Sequence, residues 1–261
     1  MKAIDLIEEI NRNGHAGEDT CDTIKAGDGE KVIKKVGVTM FATVETVRKA
    51  MEWGADMLIV HEPTYYDHME NYIPCEVVDR KKALIDGSGM VIYRYHDHMH
   101  NRDRDEITEG ELHFLGLNGN FEKTRYFASY TLTLDTPVTA TELAERMEND
   151  LGIAHVRIAG ERNKKSTRLA LCFGTPGGVF DLLRDDNIEI VLVGEACEWM
   201  LAEYARDAAA LGINKTLIVM GHLGSERDGM RLLAEKLSAR HGELDIKYFE
   251  SGEVYTYTDT K

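Results

Sequence analysis

The chain has 261 residues, of which 43% are hydrophobic, 8% aromatic and 30% charged, as is typical of a globular protein with one large core or two lobes. Thirty-one lysines and arginines against 46 aspartates and glutamates give a formal net charge of −15, and such a surface repels a nucleic-acid backbone. No apolar stretch approaches the roughly 20 residues of a membrane helix, so we expect neither a membrane nor a nucleic-acid partner.

Apolar runs alternate with amphipathic segments along most of the chain. Strands are predicted at 32–40, 57–61, 90–96, 125–134, 168–173, 189–193, 215–220 and 245–249. Helices are predicted at 43–53, 76–86, 139–151, 179–184, 196–211 and 225–240. This alternation predicts an α/β fold with mainly parallel sheets flanked by helices. Glycines and asparagines cluster at 116–122, which suggests two lobes, 1–120 and 121–261, of a single unit.

The cysteines and the N-terminal residues indicate the redox environment and the cellular location of the protein. Four cysteines stand far apart without a CxxC pair, which is typical of reduced thiols; they are Cys21, Cys75, Cys172 and Cys197. Cys197 has no adjacent base in the sequence, and we expect it to be buried. The first residues carry acids where a signal peptide has an apolar run, which favours a cytoplasmic protein.

His61 and Glu62 end the first strongly apolar strand, and Pro63 follows them. The carboxyl ends of parallel strands form the ligand-binding edge of a sheet. An imidazole and a carboxylate at that edge are a plausible pair of metal ligands. The alternative is a capping carboxylate beside a surface histidine.

Three histidines, His96, His98 and His100, follow the strand predicted at 90–96. If the chain stays extended, all three share one face, because side chains alternate with period two. If the chain turns, His96 and His100 still converge. Half of the ten histidines lie between residues 61 and 100, which favours a metal site over a solvated loop. We expect Asp97 and Asp103 to orient a ligand or to be solvated.

His222 and Glu226 stand four residues apart where a strand passes through a glycine-rich turn into a helix. Ser225 is a natural N-cap for that helix. A glutamate in a first helical turn is also explained by the helix dipole, but the adjacent histidine favours metal ligation. An earlier glycine-rich segment at 174–178 is predicted to be a tight turn rather than an anion-binding loop.

The three motifs, in this order, resemble those of the NIF-three-like family, whose members are often named GTP cyclohydrolase I type 2 homologues. That family carries an HHP turn, an HTxxD segment and a GHxxxE motif. This chain has HEP at 61–63, HDHMH at 96–100 and GHLGSE at 221–226. The resemblance covers nearly the whole chain and implies five metal ligands, with His96 at or beside the metals. The five are His61, Glu62, His100, His222 and Glu226.

Two positions depart from the family pattern and compensate each other. Glu62 stands where the family has its second histidine, and His100 stands where the family has an aspartate. Three neutral imidazoles and two carboxylates therefore still give the ligand set a charge of −2. This reciprocal exchange favours retained metal binding.

The resemblance also implies a two-lobed α/β fold without an inserted domain, assembled into a ring-shaped homohexamer. It implies two divalent ions per chain, and with nitrogen and oxygen donors Zn, Mn, Fe, Co and Ni are all admissible. We expect a hydrolase acting on a small phosphorylated or nucleotide-like substrate, with His96 and Glu226 as catalytic residues. The alternative is a non-catalytic metal-binding protein, regulatory or scaffolding, in which the ions stabilise the ring.

Overall fold

A computed structural model of the chain describes residues 1–69 and 71–258. The chain divides into two compact units of packed elements. The first comprises Met1–Glu106 and Met230–Lys261, and the second comprises Ile107–Gly229.

The first unit is built on a five-stranded sheet. Its strands, in the order in which they pair, are β1 (Ile24–Ala26), β4 (Val91–Arg94), β3 (Met57–Val60), β2 (Lys35–Thr39) and β11 (Asp245–Tyr248). All the pairings are parallel except that of β1 with β4. The helices that begin in this unit are α1 (Ala3–Asn11), α2 (Val44–Trp53), α3 (Glu76–Asp86), α4 (Asp97–His100) and α5 (Glu106–Leu115). Every residue of β3 and β4 is buried, as expected for strands covered on both faces.

The second unit is built on a six-stranded mixed sheet. Its strands, in pairing order, are β5 (Gly119–Lys123), β6 (Tyr130–Val138), β8 (Ser166–Cys172), β9 (Ile190–Val193), β10 (Thr216–Val219) and β7 (Arg157–Gly160). Its helices are α6 (Ala140–Asp150), α7 (Val179–Leu183), α8 (Glu203–Ala210) and the first part of α9 (His222–Arg240). The central strands β8, β9 and β10 run parallel. The pairings of β5 with β6, β6 with β8 and β7 with β10 are antiparallel. For β5 and β6 this follows from the short link between them, which favours a hairpin.

The sequence predicts most of these elements, and the α/β fold with helix-flanked sheets is confirmed. Four helices, α2, α3, α6 and α7, agree with the predicted bounds within one residue at each end. The predicted helix at 196–211 is divided, because a π-helical turn at Glu198–Ala202 precedes α8. The elements that the sequence pattern does not predict are α1, β1, α4, α5, β5 and β7. Several of these are short or lie at sheet edges, where the hydrophobic period is weak.

The four cysteines differ in burial. All four cysteines are free. Cys21 and Cys172 are buried, whereas Cys75 and Cys197 are exposed. The expectation of a buried Cys197 is wrong, because this residue precedes the π-helical turn in a surface loop. In the part of the chain that the structure describes, no helix has both the length and the apolar character of a membrane span.

A close approach of two helices in the second unit yields a stability prediction. A Cβ added at Gly110 of α5 would lie 2.4 Å from the Cα of Gly229 and 2.6 Å from the carbonyl oxygen of Asp228, both in α9. Because backbone atoms cannot yield as a flexible side chain can, Gly110→Ala should lower the free energy of unfolding by about 1–3 kcal/mol. Urea denaturation measures this loss.

The matched control is Gly242→Ala, since no atom lies within 4 Å of a Cβ built there. We expect its free energy of unfolding to change by less than about 0.5 kcal/mol. A Gly110→Ala protein as stable as the wild type would show that α5 and α9 do not approach this closely in solution.

Candidate metal centre

His61 directly follows β3, and the backbone bends at this residue. The backbone N–H groups of His61 and Glu62 both donate to the carbonyl of Met40, at 3.2 and 3.0 Å. The side chain of His61 is fully buried, and its Nδ1 lies 3.0 Å from the carbonyl oxygen of Tyr95. Because a carbonyl oxygen only accepts hydrogen bonds, Nδ1 carries the proton. The lone pair that a metal ion needs is therefore on Nε2.

After β4 the chain turns into the single helical turn α4 instead of staying extended. The buried carboxylate of Asp22 accepts hydrogen bonds from the backbone N–H groups of His96, Asp97 and His98, at 2.8, 2.9 and 2.8 Å. His96 and His100 therefore converge, which is the turned arrangement that the sequence left open. His98 lies apart from them, with Nδ1 2.7 Å from Asp22.

The imidazole rings of His61, His96 and His100 contact one another, and we call them the three-histidine group. The ring of His61 lies 4.7 Å from that of His96 and 5.0 Å from that of His100, measured between centroids. The rings of His96 and His100 lie 4.8 Å apart. All three residues are buried, and one ring nitrogen of each lies within 4.8 Å of the other two.

A carboxylate contacts Nδ1 of each of the other two rings in the group. Asp97 Oδ1 lies 2.9 Å from His96 Nδ1, and Asp105 Oδ2 lies 2.8 Å from His100 Nδ1. The hydrogen bond from His96 lowers the pKa of Asp97, so this carboxylate is ionised and only accepts. Metal-ligating histidines usually have such an acceptor on the second nitrogen. Asp97 and Asp103 were each expected to orient a ligand or to be solvated; Asp97 orients His96, whereas Asp103 is exposed, and Asp105 was not predicted.

The electrostatics of this group keep the imidazole of His61 neutral. Burial lowers the pKa of His61 well below its ordinary value, and the neighbouring rings of His96 and His100 lower it further. Only a neutral imidazole can bind a metal ion. Glu62 is also buried and places a carboxylate oxygen within 4.8 Å of a ring nitrogen of His61. Convergent imidazoles beside a carboxylate fit a divalent cation with nitrogen and oxygen ligands.

Arg94, the last residue of β4, is fully buried and organises the segment that follows β3. Its Nε donates to the carbonyl of His61 at 3.0 Å, and its Nη1 donates to the carbonyl of His68 at 2.5 Å. Its Nη2 lies 3.8 Å from Glu62 Oε2. The sequence analysis missed this role, although a lone arginine in the apolar run MVIYRY was the available signal.

In the second unit, His222 and Glu226 form a contact pair on the first turns of α9. His222 Nε2 lies 3.1 Å from Glu226 Oε2, and His222 Nδ1 lies 2.7 Å from Glu195 Oε1. Glu195 follows β9 and His222 follows β10, so the ends of two parallel strands supply this arrangement. As in the first unit, an acceptor lies beside Nδ1 of the histidine, here His222, and the carboxylate of Glu226 lies beside its Nε2.

The glycine-rich segment at 174–178 is the turn that the sequence predicts, and it contacts Glu226. A Cβ on Gly174, whose φ is +65°, would lie 2.3 Å from Glu226 Oε1. Only glycine leaves room for the carboxylate there. The expectation that Ser225 caps the helix is wrong, because α9 begins at His222. The Ser225 hydroxyl instead accepts from the N–H of Gly174 at 3.0 Å.

Asp105 provides a test of the role of the orienting carboxylates. Replacing it with alanine removes the acceptor on His100 Nδ1 and frees the ring to rotate or change tautomer. We expect Asp105→Ala to weaken divalent-metal binding by about 10- to 100-fold, measured by isothermal titration calorimetry with Mn²⁺ or Zn²⁺. Asp103→Ala is the matched control, since this exposed carboxylate should leave the affinity unchanged. Equal affinities of the two variants would contradict the assignment.

Comparisons with known proteins find similar chains over nearly the whole length of this one. A "GTP cyclohydrolase 1 type 2 homolog" from Clostridium perfringens is 21% identical over 258 residues, covering 96% of this chain and 95% of that protein. Reduced HcgD from Methanocaldococcus jannaschii superposes with a TM-score of 0.73 at 19% identity, covering 96% of this chain and 97% of that one. A hypothetical protein from Staphylococcus aureus superposes with a TM-score of 0.76 at 17% identity, covering 98% and 99%. Residues 3–253 match the family described as Duf34/NIF3 (NGG1p interacting factor 3), and the chain therefore belongs to that family.

Proposed function

We propose that this protein is a hydrolase that uses two divalent metal ions per chain and acts on a small phosphorylated or nucleotide-like substrate. The observation that supports it best is the three-histidine group, in which each buried ring has an acceptor on Nδ1. Such a group matches how proteins hold a divalent ion. The names of the curated relatives, which mention a cyclohydrolase, are consistent with hydrolytic chemistry.

The proposed ligands are those that the family resemblance implies, together with the residue adjoining them. They are His61, Glu62, His96 and His100 from the first unit, and His222 and Glu226 from the second. That both sets serve one pair of ions stays a prediction of the family pattern. The proposed metals are Zn, Mn, Fe, Co or Ni, because the donors are nitrogen and oxygen atoms.

Divalent ions bound here would lower the pKa of a water molecule and neutralise charge on the substrate oxygens. Glu226 is proposed as the general base that takes the proton of the attacking water and returns it to the leaving group. Its buried carboxylate lies against Gly174, where a Cβ would approach Oε1 to 2.3 Å, and its Oε2 lies 3.1 Å from His222 Nε2. His96 is proposed as a ligand or as the partner acid, and in both roles Asp97 orients its ring through Nδ1.

Turnover of a substrate panel tests the proposal. Protein loaded with Mn²⁺ or Zn²⁺ should hydrolyse at least one of a panel of nucleotides and phosphate esters. Glu226→Gln removes the proposed base and replaces a proposed carboxylate ligand with an amide, and at saturating metal concentration it should lower the rate by about 100-fold or more. Glu235→Gln is the control, since Glu235 is exposed on the same helix. Metal-loaded protein without turnover on any substrate would reject the hydrolase and favour a non-catalytic metal-binding protein.

We also propose that the chain forms a closed homo-oligomer of six copies. The support is the family resemblance alone, and an acidic surface is compatible with a soluble ring. Multi-angle light scattering should give six times the mass of one chain at micromolar concentration. A monomeric mass would reject the ring.

A further inference from the structure

A second set of metal-ligating side chains lies beside the three-histidine group in the first unit. It comprises Cys21, His68, His96 and Asp97, and one donor atom of each lies within 4.8 Å of the other three. Cys21 and His96 are buried, Asp97 is half-buried and His68 is exposed. None of the family motifs includes Cys21 or His68. Only His96 belongs to both sets.

The backbone holds Cys21 firmly against the start of α4. The neighbouring Asp22 accepts the backbone N–H groups of His96 and Asp97, at 2.8 and 2.9 Å. In return, Asp97 Oδ2 accepts from the N–H of Cys21 at 3.2 Å and from the hydroxyl of Thr20 at 2.8 Å. Two reciprocal carboxylate contacts therefore fix the thiol next to the ring of His96.

His68 is positioned by the buried Arg94, whose Nη1 donates to the His68 carbonyl at 2.5 Å. The ring of His68 lies 5.2 Å from the ring of His96, measured between centroids. The ring of His96 thus contacts that of His68 as well as those of His61 and His100, whose centroids lie 4.7 and 4.8 Å away. Because His68 is exposed, this second set opens to solvent.

Other roles for the thiol fit the surroundings less well. Burial raises the pKa of Cys21 to about 12, so the thiol without a cation is protonated and unreactive as a nucleophile. All four cysteines of the described chain are free, so Cys21 has no disulfide. A cysteine that only fills space would be packed against apolar groups, whereas this one lies among two imidazoles and a carboxylate.

We propose that Cys21, His68, His96 and Asp97 bind a transition-metal ion of borderline softness, such as Zn²⁺, Co²⁺ or Fe²⁺, at a site adjoining the three-histidine group. One sulfur, two nitrogen and one oxygen donors make a four-coordinate set that such ions accept and that Mg²⁺ and Ca²⁺ do not favour. The thiol releases its proton to solvent when the sulfur–metal bond forms. Because the neutral ring of His96 has one lone pair, His96 would bind this ion, and the hydrolase ions would be left to the five family positions, His61, Glu62, His100, His222 and Glu226. This site does not depend on the hydrolase activity.

Cobalt titration of the metal-free full-length protein under reducing, anaerobic conditions tests the site, with Co²⁺ alone as the probe. A thiolate ligand gives a charge-transfer band in the near ultraviolet, which nitrogen and oxygen ligands do not give. We expect the band in the wild type, its loss in Cys21→Ser, and its retention in Cys75→Ser and Cys197→Ser. The last two variants remove exposed thiols outside the set.

His68→Ala gives a second test that does not disturb the interior, because His68 is exposed. The band should remain, but the Co²⁺ concentration that gives half of its maximum should rise by about tenfold or more, because one ligand of the ion is lost. Asp105→Ala, which acts on His100 of the three-histidine group, should leave the band in place. A wild-type protein without the band, or a band that persists in Cys21→Ser, would overturn the proposal.

Discussion

The buried carboxylate of Asp22 accepts three consecutive backbone N–H groups, from His96, Asp97 and His98, and also contacts Nδ1 of His98. Leaving such groups unsatisfied in the interior costs about 1–3 kcal/mol each, so these bonds strongly favour a turn directly after β4. The turn brings His96 beside His100 and, through the reciprocal contact of Asp97 with the loop of Cys21, places the thiol next to them. Both proposed metal sites of the first unit depend on this one carboxylate.

In both units, a hydrogen-bond acceptor lies beside Nδ1 of the histidines proposed to bind metal. A carbonyl or carboxylate contacts Nδ1 of His61, His96, His100 and His222, and each of these histidines lies close behind the carboxyl end of a parallel strand. An acceptor on Nδ1 leaves the lone pair on Nε2, which is the nitrogen that a metal ion requires. The parallel strands therefore position these residues, and the acceptors select the tautomer. The histidine side chains by themselves would fix neither their positions nor their tautomers.

Charge and close packing add to this arrangement. The chain carries a formal net charge of −15, which favours the approach of cations. In the first unit, burial keeps His61 neutral, so that protons do not compete with metal ions at physiological pH. In the second unit, the absence of a Cβ at Gly174 makes room for the carboxylate of Glu226. Family membership establishes the fold. The proposed hydrolase activity and the proposed metal site at Cys21 are supported by these local features, and the experiments described above test them.

The sequence by itself determined the α/β fold, most strands and helices, and the histidines and acids of the proposed site, because period and strand-end position are local signals. It left open whether the chain turns after β4, since the carboxylate that decides this, Asp22, lies more than 70 residues away from His96. Asp105, Glu195 and Arg94 were missed for a related reason, because a partner is recognisable only when the fold has brought it close. The return of β11 to pair with β2 was likewise hidden. Tertiary structure alone placed Cys21 beside His68, because contacts between distant segments leave no periodic trace in a sequence.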